Sequence, residues 1–292
     1  MTTNENKVLA CVDRSHFANT IADAAAWAAS RMNAPLEFLH ILDRHQELGS
    51  GEDHSGTIGF DAQEHLLKAL SEKDAEKAKA MREAGRIFLN GLRERAIAAG
   101  VQQADTRQRY GHLEETLAEQ EPSVRLFVFG RRGESAETTQ PAHSQQLGRH
   151  VESTVRALNK PILTVTETFK APERFMIAFD GGDVAKRGVE MVASSPLLKG
   201  IPCHLLMAGK ANQDNPKKMD WARSTLEKAG FSVESAILPG DPEAVIARQI
   251  QAQGIDLLLM GAFNRAWLHN LLHRSPATAV LRSATVPTLL LR

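Results

Sequence analysis

The sequence has no excess charge of either sign, few cysteines and no long hydrophobic run. Thirty-five Lys and Arg residues balance thirty-five Asp and Glu residues, so no overall field favours nucleic acid or an anionic membrane. No apolar run approaches the ~20 residues of a membrane span, and the N-terminus lacks the pattern of a signal peptide. The two cysteines, Cys11 and Cys203, lie in apolar segments typical of buried strands. These absences predict a reduced, cytoplasmic protein that binds neither membranes nor nucleic acid.

The motifs of several common catalytic and binding sites are also missing. There is no G-x-x-x-x-G-K-[ST] loop, no G-x-G-x-x-G fingerprint, no G-x-S-x-G elbow, and no zinc-finger or RNP motif. Two histidine groups are weak metal candidates: His269 and His273 lie four residues apart without a third ligand, while His40, Asp43 and His45 follow an apolar run. Side chains without a metal are the simpler interpretation of both groups.

The strongest feature that the sequence does contain is an internal repeat. The segment "KVLACVDRS" (7–15) matches "RFMIAFDGG" (174–182), since each has a basic residue, an apolar run and then an aspartate, Asp13 or Asp180. An apolar run without alternation is typical of a strand buried on both faces of a parallel sheet. Each aspartate therefore lies where a buried strand turns into a helix.

The repeat extends through both halves in four further kinds of segment. Each half has a strand opened by proline, a glycine turn that enters a helix, a strand that ends in glycine, and a last strand. These matched segments are 35–43 with 202–210, 110–120 with 239–249, 124–130 with 255–261, and 161–165 with 287–292. In the second glycine turn, Asp241 is a natural N-cap and Pro242 suits the first helical position. The alternation of strands and helices predicts an α/β fold of two tandem, doubly wound, Rossmann-like domains, each with a five-stranded parallel sheet. The predicted domains are 1–168 and 169–292.

The first half contains an extra stretch, 43–100, where the second half has only 212–230. The polar, glycine-rich segment 48–60 is expected to form a surface loop, with a lid or a partner surface as the alternative. The remainder predicts a long, charged, amphipathic helix whose apolar residues lie near helical spacing. These residues are Ala84, Ile87, Phe88, Leu92 and Ile97.

A ligand site is expected at one edge of each predicted sheet. In open α/β sheets, ligands bind beyond the carboxyl ends of the strands, where the strand order reverses. Three elements of each half are expected to converge there: the aspartate after the first strand (Asp13 or Asp180), the end of the second strand, and the glycine turn after the fourth strand.

This arrangement resembles the universal stress protein (UspA) superfamily, in the tandem form that has two domains in one chain, over residues 6–292. The resemblance implies the adenine nucleotide alpha hydrolase-like form of the fold and a non-enzymatic role in the stress response. In that family a loop reading glycine, two residues, glycine, nine residues, glycine, then serine or threonine binds ATP, and members without the loop bind none. The resemblance also implies that Asp13 and Asp180 hold the ribose or adenine side of ATP or AMP.

The second half keeps the spacing of the family's loop but changes two of its residues. Gly261, Asn264, Arg274 and Ser275 fall on the motif positions, with nine residues, 265–273, in the long gap. Asparagine tolerates a left-handed backbone, so Asn264 need not destroy the turn. Arg274 fills space that a glycine leaves for backbone N–H groups, although its guanidinium is itself able to pair with a phosphate.

The first half keeps glycines but changes the spacing. Gly130 and Gly133 match the first glycine pair, and Gly148 matches the third glycine when counted back from the last strand. Fourteen residues, 134–147, then separate Gly133 from Gly148, five more than in the motif, and Arg149 replaces the hydroxyl residue. If only one half binds a nucleotide, this spacing favours the second.

Two interpretations of these loops fit the sequence. The glycines serve only tight turns, as in any α/β domain, or at least one half retains a nucleotide site. Arg131 and Arg132 are placed to attract an anion, but a solvated loop is the simpler expectation. The alternative function is a nucleotide-dependent enzyme with weak ATP hydrolysis, which needs a water-positioning base and usually a metal ligand. Asp13 and Asp180 are the only aspartates that the repeat places at the pocket mouth.

The assembly follows from the last strand of each half. Segments 161–165 and 287–292 are short apolar strands at a sheet edge, and exposed edges favour pairing. Family members dimerise through this strand, so the resemblance implies that the two halves pair here within one chain. The extra stretch of the first half adds surface that the second half lacks, from which we expect a homodimer.

Overall fold

The computed structural model describes residues 6–42, 60–131, 153–155, 157–209, 213–261, 280–281 and 284–291, with the backbone alone for 60–75. The strands of the first half are β1 (Lys7–Cys11), β2 (Leu36–Leu42), β3 (Ala104–Tyr110), β4 (Val124–Gly130) and β5 (Ile162–Val165). Those of the second half are β6 (Phe175–Ala178), β7 (Cys203–Ala208), β8 (Val233–Leu238), β9 (Leu257–Gly261) and β10 (Thr288–Leu291). Within the described residues they form one sheet in the order β3-β2-β1-β4-β5-β10-β9-β6-β7-β8.

Helices connect these strands. They are α1 (Ala18–Met32), α2 (Phe60–Ala98), α3 (Leu113–Gln120), α4 (Asp183–Ser194), α5 (Asn215–Lys228) and α6 (Pro242–Ala252). The predicted N-cap of α6 is confirmed, because the Asp241 carboxylate accepts a hydrogen bond of 3.1 Å from the backbone N–H of Ala244. None of the helices described by the structure is long and apolar enough to cross a membrane.

Apolar side chains cover both faces of the sheet. One face contacts α1, α2, α4 and α5, and the other contacts α3, α6 and helical residues near 155 and 280. The central strands β1, β4 and β9 are therefore buried along nearly their whole length, whereas the edge strands β3 and β8 are partly exposed, mainly at polar residues. Because each apolar layer contains residues of both halves, the two halves share one continuous core.

The two halves meet through their last strands. β5 and β10 pair antiparallel, with Thr164 opposite Thr288 and Leu163 opposite Leu289, while the other neighbouring strands are parallel. Both threonines are completely buried, and Thr164 Oγ1 donates a hydrogen bond of 3.2 Å to the carbonyl of Thr288. The prediction that the last strands pair within one chain is confirmed.

The long helix of the first half is present as α2, but its inward face differs from the one expected. The buried positions are Gly85, Leu89, Leu92 and Ala96, which follow helical spacing over the sheet. Ile87 and Ile97 are 62% and 49% exposed, because they lie off that stripe. Helical spacing was therefore not enough to place these two isoleucines inward. The expected loop 48–60 lies outside the described residues up to position 59, and position 60 begins α2.

Candidate nucleotide site

The strand order reverses at the same place in both halves. β1 lies between β2 and β4, and β6 lies between β7 and β9. Extending the register of β1 with β4 by two residues places Gly130 level with the residue before Asp13. Extending the register of β6 with β9 by one residue places Gly261 level with the residue before Asp180. The expected convergence of aspartate and glycine at the carboxyl edge of the sheet is confirmed in each half.

Each aspartate builds the turn that follows its strand. Asp13 Oδ1 accepts a hydrogen bond of 3.1 Å from the backbone N–H of Ser15, and Asp180 Oδ1 accepts one of 2.8 Å from that of Gly182. Such a bond to an N–H two residues on is a common way for aspartate to shape a turn before a helix. One carboxylate oxygen in each half therefore has a structural role in addition to any role toward a ligand.

In the second half, the two residues that follow Asp180 are glycines, so this part of the turn has no side chains. Asp180 is exposed, and Gly181 has a φ of 74°, in the left-handed region that favours glycine. The side chain of Lys218, from α5, crosses this turn, since a Cβ on Gly181 would lie 2.6 Å from Lys218 Cδ. The N-cap of α4 is Gly182, which has no side chain to occupy the first N–H groups of that helix. A carboxylate, the aliphatic stem of a lysine and a helix N-terminus are thus brought together at this turn, where the lysine stem covers Gly181.

Gly261 completes this edge of the site. A Cβ at this position would lie 3.2 Å from Val184 Cγ1 and 3.7 Å from the backbone nitrogen of Ala185, both in the first turn of α4. The missing side chain therefore lets the end of β9 approach the helix N-terminus closely. Spacing in the sequence predicted Gly261 and Asp180 as neighbours in the site, whereas the contribution of Lys218 depends on the packing of α5 and had no sequence signal.

The equivalent region of the first half is more crowded. Arg14 and Ser15 stand where the second half has two glycines, and Ser15 is buried. Arg131, directly after Gly130, is half-buried and donates a hydrogen bond from Nη1 to the carbonyl of Ala284 in the other half. The expectation that Arg131 lies in a solvated loop is wrong, because the junction between the halves brings a carbonyl within its reach.

His40, near the end of β2, is a buried residue close enough to Asp13 and Arg14 to be influenced by their charges. It is 5% exposed, and its ring meets the Phe88 ring of α2 edge-on at 5.7 Å between centroids. Burial lowers the pKa of His40 by penalising the cation, and Arg14 lowers it further while Asp13 opposes the shift. Among the described side chains, no cluster of three or more His, Cys, Asp or Glu residues could hold a metal.

Several residues proposed from the sequence lie outside the described residues. They are Asn264, Arg274 and Ser275 of the second-half loop, Gly133, Arg132 and Gly148 of the first-half loop, and the histidine candidates Asp43, His45, His269 and His273. The geometry of the site therefore rests on Asp13 and Gly130 in the first half and on Asp180 and Gly261 in the second.

Comparison with known proteins agrees with this duplicated architecture. The sequence profile described as the universal stress protein family matches residues 5–166 and again 172–292. Universal stress protein Slr1230 of Synechocystis sp. is 31% identical over 288 residues, which cover 98% of this chain and 99% of the relative. A solved universal stress protein from Archaeoglobus fulgidus superposes with a TM-score of 0.71 at 16% identity, covering 99% of this chain and 98% of its own. A putative universal stress protein from Pseudomonas aeruginosa gives a TM-score of 0.63 at 16% identity, covering 99% and 94%. The chain belongs to the universal stress protein family.

Proposed function

We propose that this protein binds an adenine nucleotide, ATP or AMP, at the carboxyl edge of the second half. The observation that carries the proposal is the glycine turn of Asp180, Gly181 and Gly182, which leads into the N-terminus of α4 beside Gly261. Helix N-termini favour anions because their first N–H groups lack partners and the helix dipole is positive there. The stem of Lys218 packs on the same turn, which brings a cationic residue to this side of the site.

The second half is preferred over the first because it leaves more room for a ligand. At the positions of Gly181 and Gly182 the first half has the exposed Arg14 and the buried Ser15, each with a side chain that glycine lacks. We infer that Gly261, Asn264, Arg274 and Ser275 hold the phosphates, with Arg274 as a charged clamp, and that Asp180 binds the ribose or adenine side. Gly130, Gly133, Gly148 and Asp13 form the weaker candidate site.

Nucleotide occupancy suggests a non-enzymatic protein of the stress response, which acts by presenting different surfaces when loaded and empty. The competing function is weak ATP hydrolysis. A turnover assay with Mg-ATP distinguishes them: phosphate release that disappears in Asp180→Asn would establish the enzyme, and turnover indistinguishable from buffer would exclude it. The two cysteines are both free thiols, which supports a location in the reducing cytoplasm.

Calorimetry with ATP and AMP tests the site. We expect the wild-type protein to bind and Asp180→Ala to bind at least tenfold more weakly, which corresponds to about 1.5–3 kcal/mol for a hydrogen bond to a charged group. The matched control is Asp13→Ala, which removes the same turn bond from the first half and is expected to leave the affinity unchanged. Binding lost only in Asp13→Ala would move the site to the first half, and no binding by the wild type would refute the proposal.

Two substitutions of Arg274 test whether its side chain binds a phosphate of the nucleotide or blocks the backbone N–H groups of the loop. If its guanidinium pairs with a phosphate, both Arg274→Ala and Arg274→Gly weaken ATP binding, by about 1.5–3 kcal/mol. If the side chain instead blocks the backbone N–H groups, Arg274→Gly binds ATP more tightly than the wild type.

We also propose that the protein forms a homodimer through α2, which has 39 residues where its second-half counterpart α5 has 14. Its exposed Ile87 and Ile97 provide an apolar surface for a second copy. Light scattering is expected to give twice the chain mass of 32.0 kDa. Ile87→Lys is expected to restore the monomer, and a wild-type mass of one chain would contradict the dimer.

A further inference from the structure

A cavity of about 260 Å³ lies between the two halves, at the amino edge of the first-half sheet. Its floor includes Leu126, at the start of β4, and Leu289 of β10, while the end of α1 and the end of α4 form its sides. Because β5 and β10 are antiparallel, this is also the edge at which the second-half strands end, and Leu291, which lines the cavity, is level with Gly261. The lining contains none of Asp180, Gly181, Gly182, Gly261 and Lys218, so the cavity is separate from the proposed nucleotide site, and it lies at the other end of β4 from Gly130.

The walls of this inter-half cavity are apolar and held in place by contacts between the halves. Arg31, in the last turn of α1, donates a hydrogen bond of 2.9 Å from Nε to the carbonyl of Leu197, a wall residue of the second half. α4 lies directly on β10, because a Cβ at Gly188 would approach Leu291 Cδ1 to 2.9 Å. A ligand in the cavity would touch Met32 on one side and Val192 on the other.

The polar end of the cavity is positively charged. Arg125 and Lys160 both line it and are both half-buried, and no Asp or Glu is among the lining residues. The nearby Glu121 carboxylate instead accepts backbone N–H groups, including that of Lys160 at 3.0 Å. Within the described residues, no carboxylate forms an ion pair with Arg125 or Lys160.

Two cations at the mouth of an apolar cavity fit an anion that has an apolar body. Burying a charge is costly unless it is paired, and arginine and lysine bind carboxylates by charge-assisted hydrogen bonds. The volume is slightly below the ~300–1,000 Å³ of pockets for drug-sized molecules, which restricts the ligand to a small one. A neutral apolar molecule would leave both cations without a partner.

We propose that the inter-half cavity binds a small amphipathic carboxylate, whose chain lies against Leu126, Val192 and Leu289 and whose carboxylate pairs with Arg125 and Lys160. Because this ligand contacts α1 and α4 together, its binding stabilises the arrangement of the two halves. Its lining shares no residue with the proposed nucleotide site, which lies on the neighbouring strand β9 at the same edge of the sheet.

Calorimetry with octanoate tests this proposal, with acetate and 1-octanol as probes that lack the chain and the carboxylate. We expect octanoate to bind at least tenfold more tightly than either. Arg125→Gln/Lys160→Gln is expected to weaken octanoate at least tenfold. Val192→Phe, which fills the cavity without changing charge, is expected to abolish binding, and circular dichroism verifies that each variant is folded.

The matched control is Lys79→Gln/Arg93→Gln, which removes two cations exposed on α2 and outside the cavity lining. Its octanoate affinity is expected to equal that of the wild type. Equal weakening in both double variants would show a general charge effect, and unchanged affinity in Arg125→Gln/Lys160→Gln would show that these cations serve only the adjacent helix ends. Either result, or no octanoate binding by the wild type, overturns the proposal.

Discussion

The two halves have side chains of different chemistry at the same buried position of their sheets. In the first half Leu9 of β1 is opposite Glu37, and in the second half Met176 of β6 is opposite His204, so Glu37 and His204 are equivalent. Both are nearly buried, at 6% and 5% exposure. One half thus buries an acid and the other an imidazole at the amino edge of the sheet.

The first half neutralises its buried acid. Lys7 Nζ donates a hydrogen bond of 3.0 Å to Glu37 Oε2 and another of 3.0 Å to Gln120 Oε1. Arg107 Nε lies 3.0 Å from Glu37 Oε1, an ion-pair contact without hydrogen-bond geometry, and Arg107 Nη2 donates to Oε2 at 3.4 Å. Two cations therefore face one carboxylate, which offsets the cost of removing these charges from water.

The second half leaves its buried imidazole nearly unpartnered. Neither ring nitrogen of His204 forms a hydrogen bond within the described part of the chain. Glu234 is 66% exposed and lies 4.0 Å from Nδ1, and Arg174, the equivalent of Lys7, reaches the same carboxylate only at 3.9 Å. The comparison teaches that a repeated fold preserves which position is buried but not the charge that occupies it.

The largest expected effect comes from breaking the first-half pair. Lys7→Met leaves Glu37 buried with only the partly exposed Arg107 beside it, so we expect the free energy of unfolding to fall by about 3–5 kcal/mol. Urea denaturation at neutral pH measures this loss. Lys7→Met/Glu37→Gln also removes the unpaired carboxylate charge. This double variant is expected to recover more than half of the lost free energy of unfolding. A loss below about 1 kcal/mol in Lys7→Met would mean that water or Arg107 already satisfies the carboxylate.

A smaller effect is expected from acidification, and it should depend on His204. Burial lowers the pKa of His204, with Glu234 opposing and Arg174 reinforcing the shift. In the unfolded chain the imidazole of His204 has its ordinary pKa of about 6.5. It therefore binds a proton at pH values at which the folded protein does not. Stability is therefore complete above that pH, declines as the pH falls from about 6.5 toward the folded pKa, and loses no more below it.

Unfolding free energies at about pH 7.5 and about pH 5.5 measure this decline, which is at most about 1.4 kcal/mol per pH unit for each histidine. We expect His204→Gln to reduce the decline over this interval, by no more than this limit. His40 has a lowered pKa as well, so His40→Gln/His204→Gln should give the flattest profile. An identical decline in the wild type and in His204→Gln would exclude His204 as its source.

The smallest effect is expected at the second-half counterpart of Lys7. The Arg174 side chain is 37% exposed, and its contact with the exposed Glu234 is 3.9 Å, so Arg174→Met should cost less than about 1 kcal/mol. Urea denaturation alongside Lys7→Met tests the comparison directly. Equal losses in the two variants would show that the halves do not differ in how they hold their buried polar position.

Much of the fold and part of the site could be predicted from residue patterns. Unbroken apolar runs predicted the central strands, because only strands covered on both faces can bury every side chain. The aspartates after β1 and β6 and the glycines after β4 and β9 predicted where chain segments converge, since carboxyl ends of parallel strands meet at one edge. Helix α2 was expected, but the exposure of Ile87 and Ile97 depends on how that helix rotates against the sheet.

The sequence by itself therefore determined the two copies of the fold and the place where the aspartate and the glycine of each half converge, because these follow from local apolar patterns and repeated motifs. The pairing of the last strands was implied by the family resemblance, and the strand order came from the tertiary structure. Only the tertiary structure decided which polar side chains are buried, which are paired and which site is open. Lys218 crosses the turn after Asp180, Arg131 reaches across to Ala284, and His204 replaces an acid in a buried place. The physical reason is that burial and pairing depend on contacts between segments far apart in the chain, which periodicity along one segment does not encode.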